Sequence, residues 1–247
     1  MNAIYILWLR QIKRYFRSKS RLVGSLGQPL LFLLALSFGF GPIFQKAGIG
    51  NYLEFLAPGI IAMGILFTAL FSGIEIIWDK QFGFLKETLV APVTRIKIMI
   101  GRTLGGATIA TVQGIIVLLI ASLIGFKFEM IGVIPSLAFM FLIALIFTAL
   151  GTAIASMLED MQGFQLIMNF LVMPIFFLSG AIFPLGDLPE SISIITSSNP
   201  LSYGVDGLRG VLINSSHFGI SLDLLVLIVT SGILLLIGGY LFSRIEI

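Results

Sequence analysis

Apolar residues run through this chain in six long blocks, at about 22–41, 57–78, 104–126, 132–157, 164–183 and 221–242, separated by short polar interruptions. Each block is close to the roughly 20 residues that an α-helix needs to cross the hydrocarbon core of a bilayer. Residues 1–21 follow another pattern: Ile4, Leu7, Trp8, Ile12, Tyr15 and Phe16 recur at helical spacing among Arg10, Lys13, Arg14, Arg17, Lys19 and Arg21. This predicts a basic amphipathic helix lying in the headgroup layer. Its basic region is long and itself amphipathic, unlike that of a leader peptide, so the segment is expected to be retained. Gln28–Pro29 inside the first block predicts a kink, because proline removes a backbone donor and crowds the preceding turn.

The longest connection, 184–219, is punctuated by Pro184, Pro189 and Pro200. Its apolar piece, 201–213, is interrupted by Asp206 and Arg209 and is too short to span. Short helices that re-enter the membrane from one face are the expectation there. The predicted fold is therefore all-α: one polytopic membrane domain over 1–247, with six transmembrane helices, an N-terminal interfacial helix and re-entrant helices before the last span. No internal repeat or separate soluble domain is visible.

Composition agrees, with 57% of residues hydrophobic and 11% charged, against about 25% charged in ordinary soluble domains. The distribution of basic residues orients the spans. With the N-terminus in the cytoplasm, Arg10, Lys13, Arg14, Arg17, Lys19, Arg21, Lys80, Lys86, Arg95, Lys97, Arg102 and Arg244 lie inside, and only Lys46, Lys127 and Arg209 outside. That bias predicts both termini in the cytoplasm, the 79–103 loop and the Glu159–Asp160 turn inside, and 184–219 outside.

Several chemistries are excluded. There is no cysteine and one histidine, His217, so thiolate, disulfide and histidine-built metal or catalytic centres are not expected. A net charge of +3 does not suggest a nucleic-acid partner. No G-x-x-x-x-G-K-[ST] occurs, and Gly101–Gly106 lacks both the lysine and the preceding strand of a phosphate-binding loop. Nucleotide used for energised work is bound elsewhere. Mid-span positions offer only neutral polar groups such as Gln113, Gln165 and Asn169, little for an ion-coupled cycle. Glu159 and Asp160 flank a turn and read as a solvated helix end.

The 79–103 loop is the most specific local signal. Gly83 permits a turn, residues 84–90 can form two turns of helix, and Pro92 closes it. Phe84, Leu85, Leu89 and Val90 would be available to a partner's pocket; the plainer reading is a helix resting on the membrane with Lys86, Arg95 and Lys97 near anionic lipid. Phe67, Phe71, Phe176 and Phe177 serve either lipid contact and helix packing or a large apolar surface for amphiphilic cargo. Gly101, Gly105, Gly106, Gly151, Gly238 and Gly239 suit close helix contact.

In sequence the chain resembles the type 2 membrane subunits of ATP-binding cassette (ABC) exporters, especially their daunorubicin-resistance-like drug-export branch. The resemblance covers nearly the whole chain. It rests on the basic helix before the first span and on the acidic-Gly-Leu-x-Glu-Thr-Leu-x-x-x-Pro-Val-x-Arg type of loop from Asp79 to Arg95. A late signature completes it: Phe177-Leu178-Ser179-Gly180-Ala181-Ile182-Phe183-Pro184, then Leu188-Pro189, then Asn199-Pro200-Leu201-Ser202-Tyr203-Gly204-Val205-Asp206-Gly207-Leu208-Arg209.

The resemblance implies a coupling helix over Gly83 to Val93, with Gly83, Phe84, Leu85, Lys86, Glu87, Thr88, Leu89, Ala91, Pro92, Val93 and Arg95 as coupling residues. It implies a cargo path between two permease copies, lined chiefly by the second and fifth spans, where Phe67, Phe71, Asn169, Phe176 and Phe177 fall. The external re-entrant region carries Pro184, Asn199, Pro200, Tyr203, Asp206 and Arg209. Two cytoplasmic ABC ATPase subunits would bind ATP and Mg, so this chain needs no cofactor, metal or catalytic residue of its own. The resemblance also implies a homodimer in the plasma membrane, with both termini cytoplasmic. Phe82 and Phe84 stand where the family often has Arg or Glu beside the loop glycine, making the partner contact more apolar.

An apolar path poor in fixed charge suits lipophilic drugs or lipid-like cargo; a polysaccharide or lipid-linked glycan is the alternative within the family, since aromatic rings also stack on sugars. A lipid-modifying membrane enzyme would need ionisable groups gathered at one depth, and Glu75, Glu159, Asp206 and Asp223 scatter over both faces. A non-transporting scaffold is distinguished by whether cargo moves when ATP is hydrolysed.

Overall fold

The computed structural model describes residues 3–46, 51–90, 92–185 and 189–245, and among these every regular element is helical. The elements are α1 (Ala3–Arg17), α2 (Lys19–Lys46), α3 (Tyr52–Phe71), α4 (Ile74–Gln81), α5 (Phe84–Val90), α6 (Arg95–Ile124), α7 (Val133–Met157), α8 (Met161–Phe177), α9 (Glu190–Ser197), α10 (Pro200–Ile213) and α11 (Ile220–Ser243). A single 3₁₀ turn, Met130–Gly132, leads into α7.

Among the described residues, five stretches are long and apolar enough to cross a membrane: Lys19–Lys46, Tyr52–Gln81, Arg95–Ile124, Met130–Met157 and Ile220–Ser243. They correspond to the first, second, third, fourth and sixth predicted blocks. The fifth block, expected over 164–183, forms α8 and stops at Phe177. Beyond it Ser179 Oγ donates to the Phe176 carbonyl and Gly180 takes φ +71°, so the chain turns instead of continuing the helix. The 17 residues of α8 span about 25 Å, somewhat less than a hydrocarbon core of about 30 Å.

The basic N-terminal segment also departs from the expectation of one helix over 1–21. It breaks at Ser18, whose N–H bonds back to Tyr15 O while its own carbonyl accepts from Arg21 and Leu22. Lys19 and Arg21 therefore open α2, which runs on as one helix through both Pro29 and Pro42. The second block is likewise two helices, α3 and α4, joined at Ser72–Gly73.

α3, α6 and α7 form the centre, and α7 also packs on α10 and α11. α3 packs on α2, α6, α7 and α10, and α6 packs on α1, α3, α7 and α11. Close approach is set by glycine. A Cβ on Gly105 would stand 2.6 Å from Gln11 Cβ, and one on Gly101 would stand 2.9 Å from Leu7 Cβ, so α1 lies against the α6 backbone. Gly106, Gly151 and Gly238 also face neighbouring helices, whereas Gly239, expected to do the same, meets nothing within 4 Å. The Tyr52–Gln81 span is 72% buried, against 11% for the α2 span and 17% for α11. The last two form the rim left for lipid or another chain.

Candidate functional site: a docking loop, a charged cluster and a cavity

The 79–103 loop is built around a two-turn helix held at both ends. Gly83, with φ +78°, makes the left-handed turn that a side chain would strain, and α5 follows for seven residues. Thr88 Oγ1 donates to Phe84 O at 3.0 Å within it. Phe84 is 51% exposed, Phe82 65% and Val90 85%, while Lys86 and Glu87 are also exposed. Leu85, expected on the same outward face, turns inward and is 2% exposed; Thr88 and Leu89 are half-buried. Pro92 is exposed and Val93 half-buried, and Ala91 lies outside the described residues.

Two cations fix this unit to other helices. Before α5, Lys80 Nζ donates to the carbonyls of Ser156 at 2.8 Å and Leu158 at 3.0 Å, closing the C-terminal end of α7. After it, Arg95 Nη1 donates to Ser243 O at 2.6 Å and Ile245 O at 3.0 Å, closing the end of α11. Unpaired carbonyls and the negative end of the helix dipole make each helix C-terminus a site for a cation. α5 is thus flanked by ties to α7 and α11, besides its covalent links to α4 and α6.

Behind the loop, Glu75 and Asp79, four residues apart on one face of α4, are almost completely buried. Arg21 Nη1 donates to Glu75 Oε1 at 2.6 Å, and Arg14 reaches Glu75 and Asp79 at 3.7 Å each. Arg10 stands 3.8 Å from Asp79, and the buried Arg102 of α6 donates directly to the same carboxylate. The basic face of α1 is thereby joined to the acids of α4, and Trp8 Nε1 donates to Thr108 Oγ1 at 3.0 Å further along α6. Sequence reasoning reads these arginines as orientation signals and the two acids as the end of a span, without joining them. The signal available is the matched four-residue spacing of Arg10–Arg14 and Glu75–Asp79.

A cavity of about 280 Å³ opens beside this cluster among α1, α2, α3, α4, α6 and α7. Its lining includes the polar or charged Arg21, Glu75, Arg102, Gln28 and Ser25 and the apolar Phe67, Phe71, Pro29 and Ile109. The Phe67 and Phe71 rings stack nearly parallel, 6.3 Å apart. The remaining residues placed on a cargo path separate: Phe176 is buried, edge-on to Phe32 at 6.4 Å, whereas Asn169 and Phe177 are exposed on α8.

At the opposite end of the bundle, α9 and α10 occupy the region expected to re-enter, and α10 is buried along nearly its whole length. Asn199 caps α10 by accepting from Leu201 N and donates to Ile175 O at 2.7 Å. Tyr203 donates to Ser197 O at 2.8 Å and stacks on Phe218 at 4.8 Å. Asp206 accepts from the backbone N–H groups of His217 and Phe218, each at 2.8 Å, so it organises the turn into α11. Arg209 bonds the carbonyls of Phe55, Gly180 and Ala181 and lies over the Phe55 ring at 3.8 Å. These late-signature residues are structural ties. Pro184 is exposed, and Leu188 lies outside the described residues. Asp160 caps α8 by accepting from Gly163 N, as its solvated-turn reading anticipates. No group of three or more His, Cys, Asp or Glu that could hold a metal occurs among the described residues.

The sequence profile of the ABC-2 type transporter family matches residues 2–213. The chain belongs to this family. It is similar to transport permease ycf38 of Cyanophora paradoxa, 28% identical over 99% of this chain and 89% of that protein. It is also similar to transport permease ycf38 of Porphyra purpurea, 30% identical over 87% of this chain and 75% of that protein. Nodulation protein J of Rhizobium leguminosarum bv. viciae is 24% identical over 90% of this chain and 86% of its own length. The chain is therefore a multi-pass membrane subunit of an ABC transporter, of a family whose nucleotide-binding subunit is a separate ABC ATPase.

Proposed function

We propose that this permease is an exporter subunit of the plasma membrane, working as a homodimer with two copies of a cytoplasmic ABC ATPase, and that α5 is its coupling helix. The observation that carries this reading is the set of exposed apolar residues at the two ends of α5, Phe84 and Val90, with Phe82 just before it, in a loop tied to two further spans by Lys80 and Arg95. A hydrophobic knob seated in a partner is a means of passing that partner's rigid-body motion into the attached helices. ATP drives transport only if the docked ATPase contacts two permease states differently, and ties to α7 and α11 give the loop a route by which its position can follow those helices.

In this arrangement six segments, α8 included, serve as spans, both termini and α5 face the cytoplasm, and α1 lies at the inner membrane surface. α9 and α10 form the external re-entrant region. The cargo is lipophilic or amphiphilic, drug or lipid-like, because the half-buried Phe67 and Phe71 and the exposed Phe177 give the path an apolar, aromatic lining. A lipid-linked glycan is the second reading, favoured by the stacked Phe67–Phe71 pair and the polar Gln28 and Ser25 in the same cavity lining.

Inverted membrane vesicles containing the chain and its ATPase test this. ATP should drive uptake of a fluorescent lipophile, and Phe84→Asp should abolish it while leaving the protein inserted. Uptake of a glycolipid alone selects the second reading; uptake indifferent to ATP or to Phe84→Asp rejects the coupling role.

A further inference from the structure

The cavity beside the charged cluster is lined by both charged and apolar residues, and the cluster next to it holds more guanidinium groups than carboxylates. Four guanidinium groups, from Arg10, Arg14, Arg21 and Arg102, meet only the two carboxylates of Glu75 and Asp79. Of these groups Arg21, Arg102 and Glu75 line the cavity itself, two cations against one acid; Glu75 Oε1 accepts from Arg21, while its buried Oε2 stands 3.7 Å from Arg14 and has no hydrogen-bond partner. Arg102 lines the cavity, is 5% exposed, and spends its Nη2 on Asp79. Its Nε and Nη1 have no hydrogen-bond partner. Buried guanidinium nitrogens without an acceptor are costly, and a planar guanidinium suits the oxygens of a phosphate or carboxylate. Phe67 and Phe71 line the same cavity, and a small inorganic anion would leave these rings uncovered.

We infer that this cavity is a binding site for the phosphodiester headgroup of an anionic bilayer lipid, with Arg102 and Arg21 on the phosphate side and Phe67 and Phe71 against the first part of an acyl chain. The volume, about 280 Å³, suits a headgroup-sized fragment at the lower limit of ligand pockets. The site lies within one chain and shares Phe67 and Phe71 with the proposed cargo path, so it deepens that reading, but its test needs neither the ATPase nor α5 docking.

Native mass spectrometry of the full chain in detergent, exchanged against phosphatidylglycerol or phosphatidylcholine, tests the proposal without the ATPase. One phosphatidylglycerol per chain should be retained about tenfold more strongly than phosphatidylcholine, and inorganic phosphate should not displace it. Arg102→Gln should abolish the preference. Because that change also unpairs Asp79, Gly24→Phe supplies a second variant: Gly24 lines the cavity, and a Cβ there meets nothing within 4 Å. It should exclude the lipid with every charge intact and the helical content unchanged. Equal retention of both lipids, or full retention in a folded Gly24→Phe variant, would overturn the site; displacement by inorganic phosphate would overturn the lipid assignment in favour of a soluble anion.

Discussion

At the scale of single residues, Asp79 is the acid that reconciles three arginines drawn from two helices. Asp79→Ala leaves Arg102 buried without its nearest counter-charge, and breaking a buried pair from one side costs about 3–5 kcal/mol. A lower thermal unfolding midpoint in detergent is the expected outcome, and Asp79→Leu combined with Arg102→Met should recover much of it. A single variant as stable as the parent contradicts this account. Each of these charges is visible in the sequence, but their meeting is not. Arg21 is 54 residues from Glu75 and Arg102 is 23 from Asp79, and helical periodicity within one segment carries no register between segments. Leu85 gives the same lesson: in a helix of seven residues, the inward side is chosen by tertiary neighbours, not by the pattern.

Among elements, α5 is the most legible, because Gly83 and Pro92 are backbone constraints that act locally wherever the loop sits. What the sequence hides is how α5 is held. Lys80 and Arg95 read as two more cytoplasmic cations, yet each closes the C-terminal carbonyls of a distant span. Lys80→Met or Arg95→Met should leave ATPase binding intact while lowering ATP-driven transport roughly tenfold, the scale of a lost charged hydrogen bond. Lys80→Arg and Arg95→Lys should restore transport, a rescue that separates the tie from simple packing. Transport undiminished in both methionine variants rules out these ties as a route of coupling. The end of α8 was hidden for a related reason: apolar residues continue to Phe183, and the turn at Gly180 depends on carbonyls that Arg209 of α10 gathers.

For the whole molecule, the helices divide into a buried centre, α3, α6 and α7, and a rim of α2 and α11. The number of apolar blocks makes an all-helical, multi-pass chain readable in advance; which helices lie at the centre, and where the cavity sits, required the packing of the helices. Orientation is testable on a background without cysteine. Ser215→Cys, in the exposed turn after α10, should react with an impermeant thiol reagent applied to intact cells, and reaction only after lysis contradicts the assigned topology. The central claim is that a separate ATPase docks on α5, and the most direct measurement is co-purification of the tagged chain with its ATPase in mild detergent, beside Phe84→Asp. The account predicts a stoichiometric ATPase with the parent chain and its loss with the variant, both chains remaining folded. An ATPase that stays bound to the variant, or a parent chain that purifies alone under conditions preserving other ABC complexes, would contradict it.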